Sequence, residues 1–115
     1  MLNKGAKMFE LIDTNASITG THLQGHIEAS YDELVKAFGK PAYDSTVDGE
    51  SDKVHTQWEL EFEDDEENLI VATIYDWKED SAYNSRVGKY RWHIGGNSYD
   101  AVSAVYDFVE VTANA

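Results

Sequence analysis

TQWELEFEDDEENLIVATIYDW, residues 56–77, is the stretch whose reading decides the fold. In its first half Trp58, Leu60 and Phe62 alternate with Glu59, Glu61 and Glu63. A period of two puts the apolar residues on one face of a strand and the carboxylates on the other, so a strand is predicted over Thr56–Glu63. The second half, Leu69–Trp77, is almost continuously apolar, as a central strand covered on both faces would be. Between them Asp64–Asn68 reads as a flexible acidic hairpin tip. A hairpin of this kind commits the chain to an antiparallel sheet.

Working outward, Ser17–Ala29 suits an extended segment. Leu23, Gly25, Ile27 and Ala29 share one parity, and His22, Gln24, His26 and Glu28 share the other. Ser30 followed by Glu33 is a capping box, which starts a helix over Tyr31–Phe38. Its apolar residues are Leu34, Val35 and Phe38, and Gly39 with Pro41 beyond ends it. Residues 42–53 are rich in turn formers and read as a polar loop, and residues 79–89 as a second. Tyr90–Ile94 gives a further strand, broken by Gly95-Gly96. Asn97 or Ser98 then caps a last helix running to about Val111, with Val102, Val105, Tyr106 and Val109 as its apolar stripe. Residues 1–16 have weak periodicity and read as an N-terminal arm or a short helical turn. The expectation is an arm over 1–16 and a single α+β domain over 17–112. Its order is β-α-β-β-β-α, an antiparallel sheet of about four strands with two helices packed on one face.

Composition narrows the function classes. Twenty-two acids against nine bases leave a net charge of −13 in 115 residues, beyond what solubility asks of a small domain. Such a field opposes direct binding to nucleic acid or to an anionic membrane. It favours a partner with a basic surface. The charge is concentrated: residues 44–67 hold eleven acids and one base, Lys53, whereas Lys78, Arg86, Lys89 and Arg91 outnumber the acids of 78–91. With no cysteine there is no disulfide framework and no thiolate zinc site. The N-terminal residues hold no apolar run of signal-peptide length, and no apolar run approaches a membrane span, so the cytoplasm is the expected address.

Candidate chemistry is sparse. His22 and His26 lie ~13 Å apart if the segment is a strand, too far to share an ion. Asp64-Asp65-Glu66-Glu67 lacks the alternating ligands and the glycine of a calcium loop, so no metal or cofactor is expected. RWHIGGNSYD, residues 91–100, is the best small-ligand candidate: a strand delivers two glycines to a helix N-terminus, where an anion is favoured, with Arg91 and His93 in reach. The same glycines suit any tight strand-to-helix turn. Asp76 and Lys78 share parity, and a salt bridge between them is the expected use. No nucleophile–base–orienter set is recognisable, so catalysis is not expected. Tyr75, Trp77, Tyr90 and Trp92 could line one concave patch, with core or interface packing the commoner cause. Three Trp, seven Tyr and four Phe leave material for a homodimer interface.

The ordered set GTHLQGHIEASYDELVKAFGKP, WELEF, IYDWK and RWHIGG, spread over roughly residues 20–110, resembles a family of short uncharacterised bacteriophage proteins. The resemblance implies a phage origin, hence a host-cell cytoplasm, and makes THLQG and WHIGG signature segments. This chain departs from that family in carrying EDDEEN where a short glycine-containing turn is expected. Two functions follow as expectations. In the first, an accessory protein inhibits a host defence or nucleic-acid-processing protein. Its phosphate-mimicking surface of Glu59, Glu61, Glu63, Asp64, Asp65, Glu66 and Glu67 meets that protein's basic site. In the second, a small ligand such as a nucleotide immune signal is held by His22, Gln24, Arg91, His93, Gly95 and Gly96.

Overall fold

The computed structural model describes residues 8–49 and 53–114. Residues 1–7 of the expected arm and residues 50–52 of the first loop lie outside the described residues. In chain order the elements are β1 (Phe9–Asp13), β2 (His22–Ser30), α1 (Tyr31–Phe38), β3 (Tyr43–Asp44) and the short α2 (Ser45–Asp48). They continue with β4 (Thr56–Asp64), β5 (Leu69–Tyr75), a 3-10 turn (Ala82–Ser85), β6 (Lys89–Gly96) and α3 (Asp100–Ala113). The fold is α+β, a six-stranded antiparallel sheet against which α1 and α3 pack. The strand order is β1-β4-β5-β6-β2, with β3 on β4.

The hairpin reading holds. In β4, Thr56, Trp58, Leu60, Phe62 and Asp64 are buried, while Gln57, Glu59, Glu61 and Glu63 face the other way. Opposite residues of an antiparallel pair share a face, so Trp58↔Ile74, Leu60↔Ala72 and Phe62↔Ile70 extend the apolar layer onto β5. Trp92 and Ile94 of β6, and Ile27 and Ala29 of β2, complete it. The helices close it with Leu34 and Phe38 from α1 and Ala101, Val102, Ala104 and Val105 from α3. Trp58 and Trp92 meet edge to face at 5.4 Å, and Phe38, Phe62 and Phe108 form a second aromatic knot. The capping box of α1 is present in both halves, and Gly39, at φ 81°, ends the helix by donating to the Val35 carbonyl.

Several expectations change. Phe9–Asp13 is an edge strand on β4 rather than part of a loose arm, and Phe9 and Leu11 pack against the core. The polar loop contains β3 and α2. Gly95-Gly96 does not break β6: both glycines pair with β5 and β2, because only a residue without Cβ fits there. A bulge between Leu23 and Gly25 shifts the register of β2, so Leu23 pairs with Gly95 on the opposite face and is 53% exposed. On α3 it is Ala101, Ala104 and Phe108 that join Val102, Val105 and Val109, while Tyr106 is exposed and donates to the His26 carbonyl.

The hairpin tip is an ordered turn. Asp64 is buried; its carboxylate accepts from the Glu66 and Asn68 amides and the Asn68 side chain, and its own amide donates to Asn68. Glu67 sits at φ 67°, in the left-handed region that favours glycine. Glu67→Gly is therefore expected to stabilise the fold by about 0.5–1 kcal/mol, the relief of left-handed strain exceeding the added chain entropy. Urea unfolding would read it as a raised midpoint at unchanged slope.

Candidate functional site

Both main helices cover one face of the sheet, and among the described residues no main helix packs on the other. The segment 14–21 carries the chain across that open face, from β1 at one edge to β2 at the other. Its Ala16 amide donates to the Glu59 carbonyl, and Ile18 and Thr21 line a groove of about 200 Å³ with Thr73, Tyr75 and Trp77. Among the described residues this thin strap is what covers β5 on its second face, rather than the full second layer that the apolar run of β5 suggested.

One half of the open face is acidic. Glu59, Glu61 and Glu63 project from β4, spaced ~6.6 Å apart at twice the strand rise. Register places Glu10 of β1 directly across from Glu63, and Asp13, past a bulge, across from Glu61. Among the described residues none of these five carboxylates forms an ion pair with a lysine or arginine. Glu59 accepts a hydrogen bond from Gln57. Like charges directly opposite in an antiparallel pair destabilise it, so this face carries a cost to folding. Glu10 and Asp13 are not among the residues expected from sequence, because residues 1–16 read as an arm. The alternation of Phe9, Leu11 and their polar neighbours was the signal.

Of the other acidic candidates, Asp65, Glu66 and Glu67 are exposed at the turn. Asp64 is not part of the accessible surface, because its carboxylate holds the turn together. Ligand oxygens of Asp64, Asp65 and Glu66 come within 4.8 Å of one another, but those of Asp64 already serve three donors, so the turn explains the cluster.

The other half of the open face is aromatic and imidazole-rich. His93 stacks on Tyr75 at 5.3 Å and meets His26 at 4.6 Å, with Trp77 6.3 Å away. The ammonium groups of Lys53 and Lys78 lie 5.7 and 5.8 Å from the Trp77 ring. Burial pushes both His26 and His93 below the usual histidine range; nearby Arg91 adds to this for both, and His26 does so for His93. The four aromatics do not share a patch: Tyr75 and Trp77 lie here, whereas Trp92 is in the core and Tyr90 packs against it. Burial and a hydrogen bond to Glu79 push the Tyr90 hydroxyl up to about 12, so it remains a donor.

The small-ligand set does not converge. Gly95 and Gly96 are buried strand residues of β6 and not part of a helix N-terminus; Gln24 is occupied donating to the Gly96 carbonyl. His22 and Gly95 line the strap groove, while Arg91 lines a separate one with His26, Glu28 and Tyr106. Asp76 is fully buried and accepts from the His55 and Thr56 amides and from Ser85; it does not pair with Lys78.

One juxtaposition resembles catalytic machinery. Ser45 lies 2.8 Å from His55 Nδ1, and His55 Nε2 lies 2.9 Å from the Glu79 carbonyl. A carbonyl only accepts, so Nε2 carries the proton and Ser45 donates to Nδ1. The adjoining amides are taken, Ser45 N by the His55 carbonyl and Thr46 N by Asp44. These bonds tie α2 to the segment before β4 and to the 79–89 loop. No family model, curated protein or solved structure matches the chain. Among the described residues no helix is long and apolar enough to cross a membrane.

Proposed function

We propose that this chain is a binding protein that presents the acidic half of its open face to the basic site of another protein. The class of target is a host defence or nucleic-acid-processing protein whose Lys/Arg-lined groove ordinarily receives phosphates. The observation that carries the reading is the register Glu10↔Glu63 and Asp13↔Glu61 beside Glu59. Five carboxylates stand on two paired strands and form no ion pair with a lysine or arginine among the described residues. Such pairs lower the stability of the free protein, and a cationic partner would convert that repulsion into attraction. The resemblance to phage proteins accounts for a target in the host cell. Direct nucleic-acid binding and catalysis are not part of the proposal.

The test uses two charge-reversed variants and one salt series. Glu59→Lys/Glu61→Lys/Glu63→Lys removes the ordered row, and Asp65→Lys/Glu66→Lys/Glu67→Lys removes only the turn. Taking roughly 1 kcal/mol for each half-exposed carboxylate, the row variant should bind the captured host protein about a hundredfold more weakly. The turn variant should bind nearly as the parent does. Capture should weaken as salt shortens the Debye length toward ~3 Å at 1 M, and duplex DNA or heparin should displace the host protein. The row variant should fold at least as stably as the parent, since its lysines face Glu10 and Asp13. Undiminished capture by a folded row variant would reject the proposal.

A further inference from the structure

From the opposite half of the open face we infer that His26 and His93 form a two-imidazole chelate for a first-row divalent cation, Cu(II), Ni(II) or Zn(II). The residues are 67 apart in sequence but are direct partners in the antiparallel register of β2 and β6. Directly opposite residues share a face with Cβ atoms ~4.5–5.5 Å apart, so both rings project to the same side at chelating distance. Their centroids are 4.6 Å apart, with ring planes at 63°. A metal ~2.0–2.1 Å from one nitrogen of each ring stands ~3.2 Å from each centroid, so N–metal–N angles of ~90–110° require centroids ~4.5–5.2 Å apart. The 4.6 Å spacing of the ring centroids falls within that range.

Three further observations point the same way. His93 Nδ1 is buried and has no hydrogen-bond partner among the described residues. The stack on Tyr75 limits rotation of the His93 ring, and Tyr106, donating to the His26 carbonyl, anchors the backbone of the other ligand. Burial disfavours protonation of both imidazoles, and the neutral ring is the form that binds metal. Arg91 opposes a cation here, but Glu28 is its direct partner in the register and the chain as a whole carries −13. Imidazole pairs suit Cu(II), Ni(II) and Zn(II) over Mg(II) or Ca(II), with Cu(II) expected tightest. Two protein ligands leave the remaining coordination positions to water or to a side chain of a bound protein.

The test is titration of the full chain with Cu(II), Ni(II) and Zn(II) salts, followed by calorimetry. The histidine ring resonances are followed by NMR with Zn(II), which is diamagnetic. One equivalent should bind, with the His26 and His93 resonances shifting and those of His22 and His55 staying in place. His26→Asn and His93→Asn should each weaken binding at least tenfold, while His22→Asn and Asp65→Asn/Glu66→Gln should leave it unchanged. The NMR measurement on the parent chain does not depend on any variant folding. Failure to bind at millimolar metal, shifts confined to other histidines, or loss of binding only in the Asp65/Glu66 variant would each overturn the inference.

Discussion

Asp76→Ala is expected to lower folding stability by about 4–5 kcal/mol, the largest effect foreseen for any single substitution in this chain, because a buried carboxylate accepting three hydrogen bonds contributes roughly 1.5 kcal/mol or more through each. Asp76 is 0% exposed, and its Oδ1 accepts from the His55 amide at 2.8 Å and the Thr56 amide at 3.0 Å, its Oδ2 from Ser85 at 2.9 Å. Alanine leaves the His55 and Thr56 amides without an acceptor and Ser85 with only the Ala82 carbonyl at 3.3 Å. A domain of this size has only about 6–17 kcal/mol to lose, so thermal denaturation should show a midpoint lowered by roughly 15–20 °C. Asp76→Asn keeps one oxygen for the two amides and loses the acceptor for Ser85, so it should cost about 1–2 kcal/mol. Ser85→Ala should cost less again. A variant Asp76→Ala melting within a few degrees of the parent would contradict the assignment of this carboxylate as the clasp between β4 and the 79–89 loop.

Gly96→Ala should be next, at about 3–4 kcal/mol, at or past the top of the usual overpacking range. An alanine Cβ at 96 would stand 2.4 Å from the Ala101 Cβ and 2.9 Å from the Val71 carbonyl oxygen. Neither obstacle can rotate away: one is the first turn of α3, the other the backbone of β5. The helix must lift off the sheet or the β5–β6 pairing must open. Gly95→Ala differs, since its closest obstacle is Thr73 Oγ1 at 2.4 Å, on a side chain with other rotamers. It should cost about 1–2 kcal/mol. Urea titration of the two variants would give the order, and equal small losses would mean that close sheet–helix packing is not why two glycines stand here. An anion-binding turn predicts the reverse: little change in stability and a change only in ligand affinity.

The contrast between those glycines and the capping box of α1 shows what a sequence makes legible. Ser30 and Glu33 act on amides three residues away, and Gly39 ends the helix within one turn, so the whole device lies inside a short window. The alternation of Trp58, Leu60 and Phe62 with glutamates is equally local, because strand parity needs no partner to be read. Gly95-Gly96 could not be read that way. The same two residues serve a turn or a tightly packed strand, and the deciding atoms belong to Thr73, Ala101 and Val71. The bulge at Leu23–Gly25 is a further case: one extra residue reversed the face of Leu23, and its cause is the pairing with β6.

The candidate surface divides along the same line. That Glu59, Glu61 and Glu63 form one outward row was determined by the sequence itself, through the two-residue period of a strand. That Glu10 and Asp13 stand beside them, that Asp64 is withdrawn into the turn, and that His26 meets His93 were decided only by the tertiary structure. Local parity says which way a side chain points. Which carboxylates repel each other, and which imidazoles come within chelating distance, depends on strand order and register, set by burying one apolar layer shared among segments far apart in the chain.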